Sequence, residues 1–253
     1  MKNMMLFLLL GFMSVGSMLA QTSTVCGVWN RKQSVDLKVC QINNGITSEV
    51  AAAKVKENEE FCMSFVPQKE GYYALNYGRN KYYMFYLKPG DNFQIEITPE
   101  SYRLTGKNNT PENKEMARWH DFISPLDKMT WSTDGKRYTY VEFFPILDSK
   151  VGQLKGYKAK KTKNQAFDAS FADFRNIDML YNALIFVFTP HSTQPKDVDF
   201  IDYYRNVNLP DLTKNTAVLG YPDGMRLILN SYLLKTKIKN NGEEKWHKSR
   251  FRT

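Results

Sequence analysis

The hydrophobic period of this chain changes once, near Lys107, and that change limits the fold more than any other feature. Before it, apolar residues alternate with polar ones, the period of a half-buried strand. The runs are Val35, Leu37 and Val39; Phe61, Met63 and Phe65; and Phe93, Ile95 and Ile97. After it, apolar residues recur every three or four positions: Met116, Trp119, Ile123 and Leu126, then Val141, Phe144, Leu147, Val151 and Leu154. A third such stripe runs through Phe167, Phe171, Phe174, Ile177, Leu180, Tyr181 and Leu184. Strands first and helices afterwards predict an α+β chain. The expected layout is an antiparallel β-sandwich or open barrel over 21–106, then a helical region over 107–239.

Turn chemistry divides the strands. Gly71 to Tyr77 and Lys81 to Leu87 are aromatic runs separated by a hairpin-like break at Gly78-Arg-Asn80. Lys88-Pro-Gly-Asp91 has Pro and Gly at the centre of a type II turn. Thr110 can cap a helix with Pro111 at its first position, where a missing N–H costs nothing. Asp197 to Arg205 and Asp223 to Leu234 predict two further helices, five in all.

Residues 1–20 have the three-part layout of a secretory signal: Lys2, an apolar stretch from Leu6 to Leu10, then Ser14, Gly16, Ser17 and Ala20. The expected cut is Ala20/Gln21, giving an exported chain in the periplasm or cell envelope with no stable membrane insertion afterwards. Cys26 lacks the small residues that a lipoprotein cysteine needs before it. Export governs how the net charge of +9 is read. The basic runs Lys155 to Lys163 and Lys235 to Arg252 would suggest nucleic acid in a cytoplasmic protein, a partner that export removes. They are read as a solvated helix end and a disordered basic tail over 240–253, with an acidic envelope surface as the alternative.

Three cysteines, Cys26, Cys40 and Cys62, allow at most one disulfide, and none sits in a C-x-x-C. Cys40 and Cys62 each occupy the face opposite their apolar neighbours. They either bridge neighbouring strands or sit as small half-buried residues. Catalytic signatures are missing: no G-x-S-x-G, H-E-x-x-H, Walker loop or G-x-G-x-x-G occurs. His120, His191 and His247 are scattered, and Asp168, Asp173 and Asp178 spread around a helix. His191 with Asp197, Asp199 and Asp202 lacks the glycine and terminal glutamate of a calcium loop. Catalytic residues, cofactor and metal are therefore all expected to be none. The aromatic strands supply one binding candidate. Tyr83, Phe85 and Leu87 share a face, and Tyr82, Met84 and Tyr86 share the other. With Tyr72, Tyr82 and Tyr86 form either an exposed platform for glycan or peptide or a surface covered by the helices, which is the favoured arrangement for a β-then-α chain.

The order of elements resembles the N-terminal β-domain and helical linker of exported TlpA/ResA-like thiol–disulfide oxidoreductases. The residues that carry the resemblance are Tyr86-Leu-Lys-Pro-Gly-Asp91, Leu104-Thr-Gly106, Asn113, Phe143-Phe-Pro-Ile-Leu147, Asn164-Gln-Ala-Phe167, Phe188-Thr-Pro190 and Tyr221-Pro222. In that family a thioredoxin domain with W-C-x-x-C follows and carries the activity, so no catalytic residue of the family has a counterpart here. The resemblance implies a non-enzymatic accessory module, truncated before the thioredoxin domain. Its partner would be a thioredoxin-like domain or an envelope protein substrate. A stand-alone envelope module for glycan or peptide is the alternative.

Overall fold

The computed structural model describes residues 21–78 and 81–240. The signal segment expected over 1–20 and all but the first residue of the expected tail lie outside the described residues. Eight strands come first: β1 (Ser23–Trp29), β2 (Val35–Asn43), β3 (Ile46–Val55), β4 (Glu59–Phe65), β5 (Gly71–Gly78), β6 (Lys81–Leu87), β7 (Asn92–Ile97) and β8 (Tyr102–Leu104). They form two four-stranded sheets, ordered β4-β1-β7-β8 and β3-β2-β5-β6. The inward residues of each strand meet between the sheets. Val25, Trp29, Phe93 and Ile95 from one face Leu37, Val39, Leu75 and Phe85 from the other, and Phe85 stacks on Phe93 at 4.6 Å. This is the α+β sandwich that the period change predicts.

One pairing departs from the antiparallel expectation. β1 and β7 run parallel, from Thr24↔Asn92 to Trp29↔Ile97. The chain leaves β1 for the second sheet and returns to β7 only after five other strands. A crossover of that length can bring two strands together in the same direction, which a short hairpin cannot. Two turns are fixed by backbone conformation. Asn44 (φ 51°) and Gly45 (φ 73°) join β2 to β3 with both central residues left-handed, the type I′ signature. Gly90 (φ 90°) occupies the left-handed position of the type II turn read from Lys88 to Asp91.

Helices α1 (Pro111–Trp131), α2 (Tyr140–Leu154), α3 (Gln165–Phe188), α4 (Asp202–Arg205), α5 (Leu209–Lys214) and α6 (Gly224–Asn240) follow. Thr110 Oγ1 accepts the Asn113 N–H at the start of α1, as the Thr-Pro pair implies. Pro125 removes the N–H that would bond Asp121 C=O, and Ser124 Oγ donates to that carbonyl at 3.0 Å instead. Asn164 caps α3 by accepting the Phe167 N–H. From Ile177 to Val187 every residue of α3 is buried, so α3 is the axis around which the other helices pack.

The stretch Asp197 to Arg205, read as one helix, is a 3₁₀ turn at Asp197–Asp199 followed by the single turn of α4. Phe200 and Ile201 between them are extended, and Phe200 is buried against Phe144 and Tyr204. The sequence reading passed over α5 because six residues are too few to show a period. No helix among the described residues is long and apolar enough to cross a membrane.

Candidate functional site

The aromatic face identified from sequence lies between the β3-β2-β5-β6 sheet and the helices. Tyr72 stacks on Phe174 at 4.6 Å and 8° and shares a hydrogen bond with Ser170 Oγ. Tyr86 is buried, edge-on to Tyr72 and to Phe167. Tyr82 is half-buried beside Cys40, Ile42 and Ala74. Tyr72 and Tyr86 thus have their ring faces occupied by the protein itself. For Tyr72 and Tyr86 the covered arrangement is the one found, and Tyr82 alone keeps part of its ring exposed.

Around these rings, residues quoted for the family resemblance act as fasteners. Asn113, near the start of α1, accepts the Tyr86 N–H through Oδ1 and donates to Tyr86 C=O through Nδ2, both at 2.8 Å. Since β6 is the last strand of its sheet, this amide supplies what a further strand would. Lys88, from the turn, reaches the buried Glu112 at 3.0 Å. Burial pushes the Glu112 carboxyl up, but its hydrogen bonds, Lys88 Nζ among them, outweigh that and hold it below the usual range. Glu70 accepts from Tyr86 Oη at 2.9 Å and from Asn164 Nδ2 at 2.6 Å, which ties β5 to the cap of α3. Phe143 stacks on Phe186 at 3.8 Å and joins α2 to α3. Helix capping and strand-edge pairing come from the same few side chains.

Deeper along this joint is a partly open cavity of about 40 Å³, lined by Tyr82, Trp119, His120, Asp127, Asp178, Tyr181, Asn182 and Tyr221 among others. It is far smaller than the several hundred Å³ of a small-molecule pocket; Asp178 is satisfied by its neighbours, while the buried Tyr181 Oη and Asn182 Oδ1 have no hydrogen-bond partner. Asp178 is 8% exposed and accepts the Trp119 indole N–H at 2.6 Å and the Tyr221 hydroxyl. Burial raises its pKa, and those two donors oppose the rise. Asp127 is pushed up to about 7, first by burial and then by the charge of Asp178. His120 is pushed down to about 4 by burial; its Nε2 lies 2.8 Å from Ser101 Oγ and its ring stacks on Tyr102. Sequence reading missed this set because its members are far apart in the chain. The usable signals were the helical spacings Trp119–Asp127 and Asp178–Asn182, which put each pair on one helix face. Among the described residues no group of His, Cys, Asp and Glu could hold a metal ion.

The cysteines pair differently from the Cys40–Cys62 alternative. Cys62 is bonded to Cys26, its direct partner across β1 and β4, and Cys40 is a buried free thiol. The physical reason is topological. Cys40 lies on β2, in the other sheet, with its side chain on the face under the helices. The whole sandwich core therefore separates it from Cys62. Cys62 is exposed and Cys26 half-buried on the outer face of β4-β1-β7-β8. No protein-family model, curated protein or solved structure matches the chain.

Proposed function

We propose that the chain is a non-catalytic accessory module of an exported thiol–disulfide oxidoreductase system, one that positions a thioredoxin-like domain or docks its protein substrate. The observation that carries this reading is where the residues of the resemblance fall. Asn113, Lys88 and the Asn164 cap tie helices to one sheet, and Phe143 and Tyr221 tie the helices to each other, which suits a rigid body better than a reaction site. The disulfide supports an oxidising compartment, as export from a cleaved signal requires. Burial of Tyr72 and Tyr86 weighs against the glycan-binding alternative, because stacking on a sugar needs an open ring face.

Insulin reduction by the purified chain tests the reading, with thioredoxin as control. The expected result is no turnover by the chain alone. Robust turnover that is lost when the cysteines are replaced overturns it. Affinity electrophoresis against polysaccharides is the second arm. Retardation abolished by Tyr82→Ala would replace the accessory reading with the glycan one.

A further inference from the structure

We propose that the Cys26–Cys62 disulfide is a reversible thiol–disulfide exchange site, opened by an incoming dithiol protein that attacks Cys62. The inference goes beyond the accessory reading and does not rest on it, since it concerns accessibility of a bond within this chain.

Three observations carry it. First, the bond lies on an outer sheet face, beside an open groove of about 460 Å³ lined by Gly27, Glu60, Gln94 and Thr105 as well as by the two cysteines. A nucleophile approaching along this groove meets no covering element. Second, the two sulfurs differ in access. Cys62 is exposed on β4, the outermost strand of its sheet, whereas Cys26 is half-buried on β1 between β4 and β7. Attack on a disulfide follows access to the sulfur, which selects Cys62. Third, the bond is not what holds the two strands together. β1 and β4 are in register from Ser23↔Phe65 to Trp29↔Glu59, and β1 is paired on its other side with β7. Val25, Trp29, Phe61 and Met63 keep the inner faces of both strands in the core. The reduced chain therefore retains its ladder.

One thiolate of the dithiol attacks Cys62 Sγ; the new S–S bond forms as the Cys26–Cys62 bond breaks, and Cys26 leaves as a thiolate that takes a proton. The second thiolate of the dithiol then attacks its own sulfur in the mixed disulfide and releases Cys62, which is protonated in turn. Two electrons and two protons pass to the chain, and the dithiol becomes a disulfide.

A thioredoxin whose resolving cysteine is replaced by alanine is the probe, because it stalls at the mixed disulfide. Incubated with the oxidised native chain, it should give a covalent complex on a non-reducing gel. Peptide mapping should place the link at Cys62. Capture should proceed within about tenfold of the rate for the urea-unfolded chain, since access is already available. Capture of only the unfolded chain overturns the proposal, and so does a link at Cys26. The Cys26→Ser/Cys62→Ser double variant should form no complex; one formed through Cys40 would also overturn it. Circular dichroism of the fully reduced wild-type chain is the remaining arm. Retention of the oxidised spectrum is expected, and collapse of the sheet signal would show that the bond is a structural staple.

Discussion

Under the helical region, the outer face of β3-β2-β5-β6 presents Cys40, Ile42, Tyr72, Ala74, Met84 and Tyr86, while that of β4-β1-β7-β8 presents Thr24, Cys62, Ser64, Asn92 and Gln94 to solvent. Both sheets obey the same pleat and both point alternate residues into the shared core. What differs is the other half of each strand. Where it is apolar and aromatic, helices cover it; where it is small and polar, it stays open and carries the disulfide. Helix placement is thus decided by residues that the sandwich itself does not need.

Damage to the covered face should have the largest consequence. Tyr72→Ala removes the Phe174 stack, the edge contact with Tyr86 and the Ser170 hydrogen bond. A loss of about 3–5 kcal/mol in urea-unfolding stability is expected, the range for a buried aromatic cut to alanine. A loss under about 1 kcal/mol, typical of an exposed site, would break the contrast between the faces.

On the open face the disulfide should act through the unfolded chain. It closes a loop of sequence separation 36, for which chain entropy gives roughly 3–4 kcal/mol. The Cys26→Ser/Cys62→Ser variant should lose up to that amount in thermal unfolding while the native fold persists. Asn113→Ala comes next. It strands the Tyr86 N–H and C=O at the edge of the covered sheet, at a cost of about 2–3 kcal/mol. Chemical denaturation of Asn113→Ala beside Thr24→Ala, on the open face, measures the difference between a fastener and a bystander.

Much of this was legible in the sequence, for reasons that differ by residue. The strand and helix periods placed Leu37, Phe93, Trp119 and Phe171 in cores, and the Pro-Gly and Thr-Pro pairs placed a turn and a cap. Splitting β6 into two faces correctly set Phe85 against Tyr86. β3 was overlooked although Asn44-Gly45 announces its hairpin, because only Val55 of its ten residues is fully buried and no apolar alternation marks it. The disulfide partner could not be chosen, because strand alternation gives the face of a residue and not its sheet. The cluster around Asp178 was hidden for a related reason: its partners Trp119, on α1, and Tyr221, just before α6, approach only once both segments have packed on α3.

The smallest effect is a pH dependence confined to the covered side. Asp127, raised by burial to about 7, contributes stability that is full below the unfolded carboxylate range and lost as pH rises through about 7. His120, lowered by burial to about 4, contributes stability that is full above its ordinary range and lost as pH falls through about 4. Between about 4 and 6.5 the two slopes oppose each other. Wild-type stability should change little there. Asp127→Asn removes one of the carboxyl contributions that oppose the histidine, Asp178 keeping the other. Its stability should therefore rise more steeply with pH than in wild type across that window and should gain relative to wild type at pH 8. An unchanged profile in Asp127→Asn would mean that the carboxyl is not confined under the helices.

The contrast between the faces is tested most directly by native-state thiol labelling. The chain is reduced by a dithiol without denaturant, pulsed with iodoacetamide and mapped by peptide mass. Cys40 is 6% exposed, and burial pushes its thiol up to about 11. Cys26 and Cys62 should therefore label fully while Cys40 stays unmodified until urea is added. Labelling of Cys40 as fast as Cys62, or protection of Cys62 in the native chain, would contradict the account.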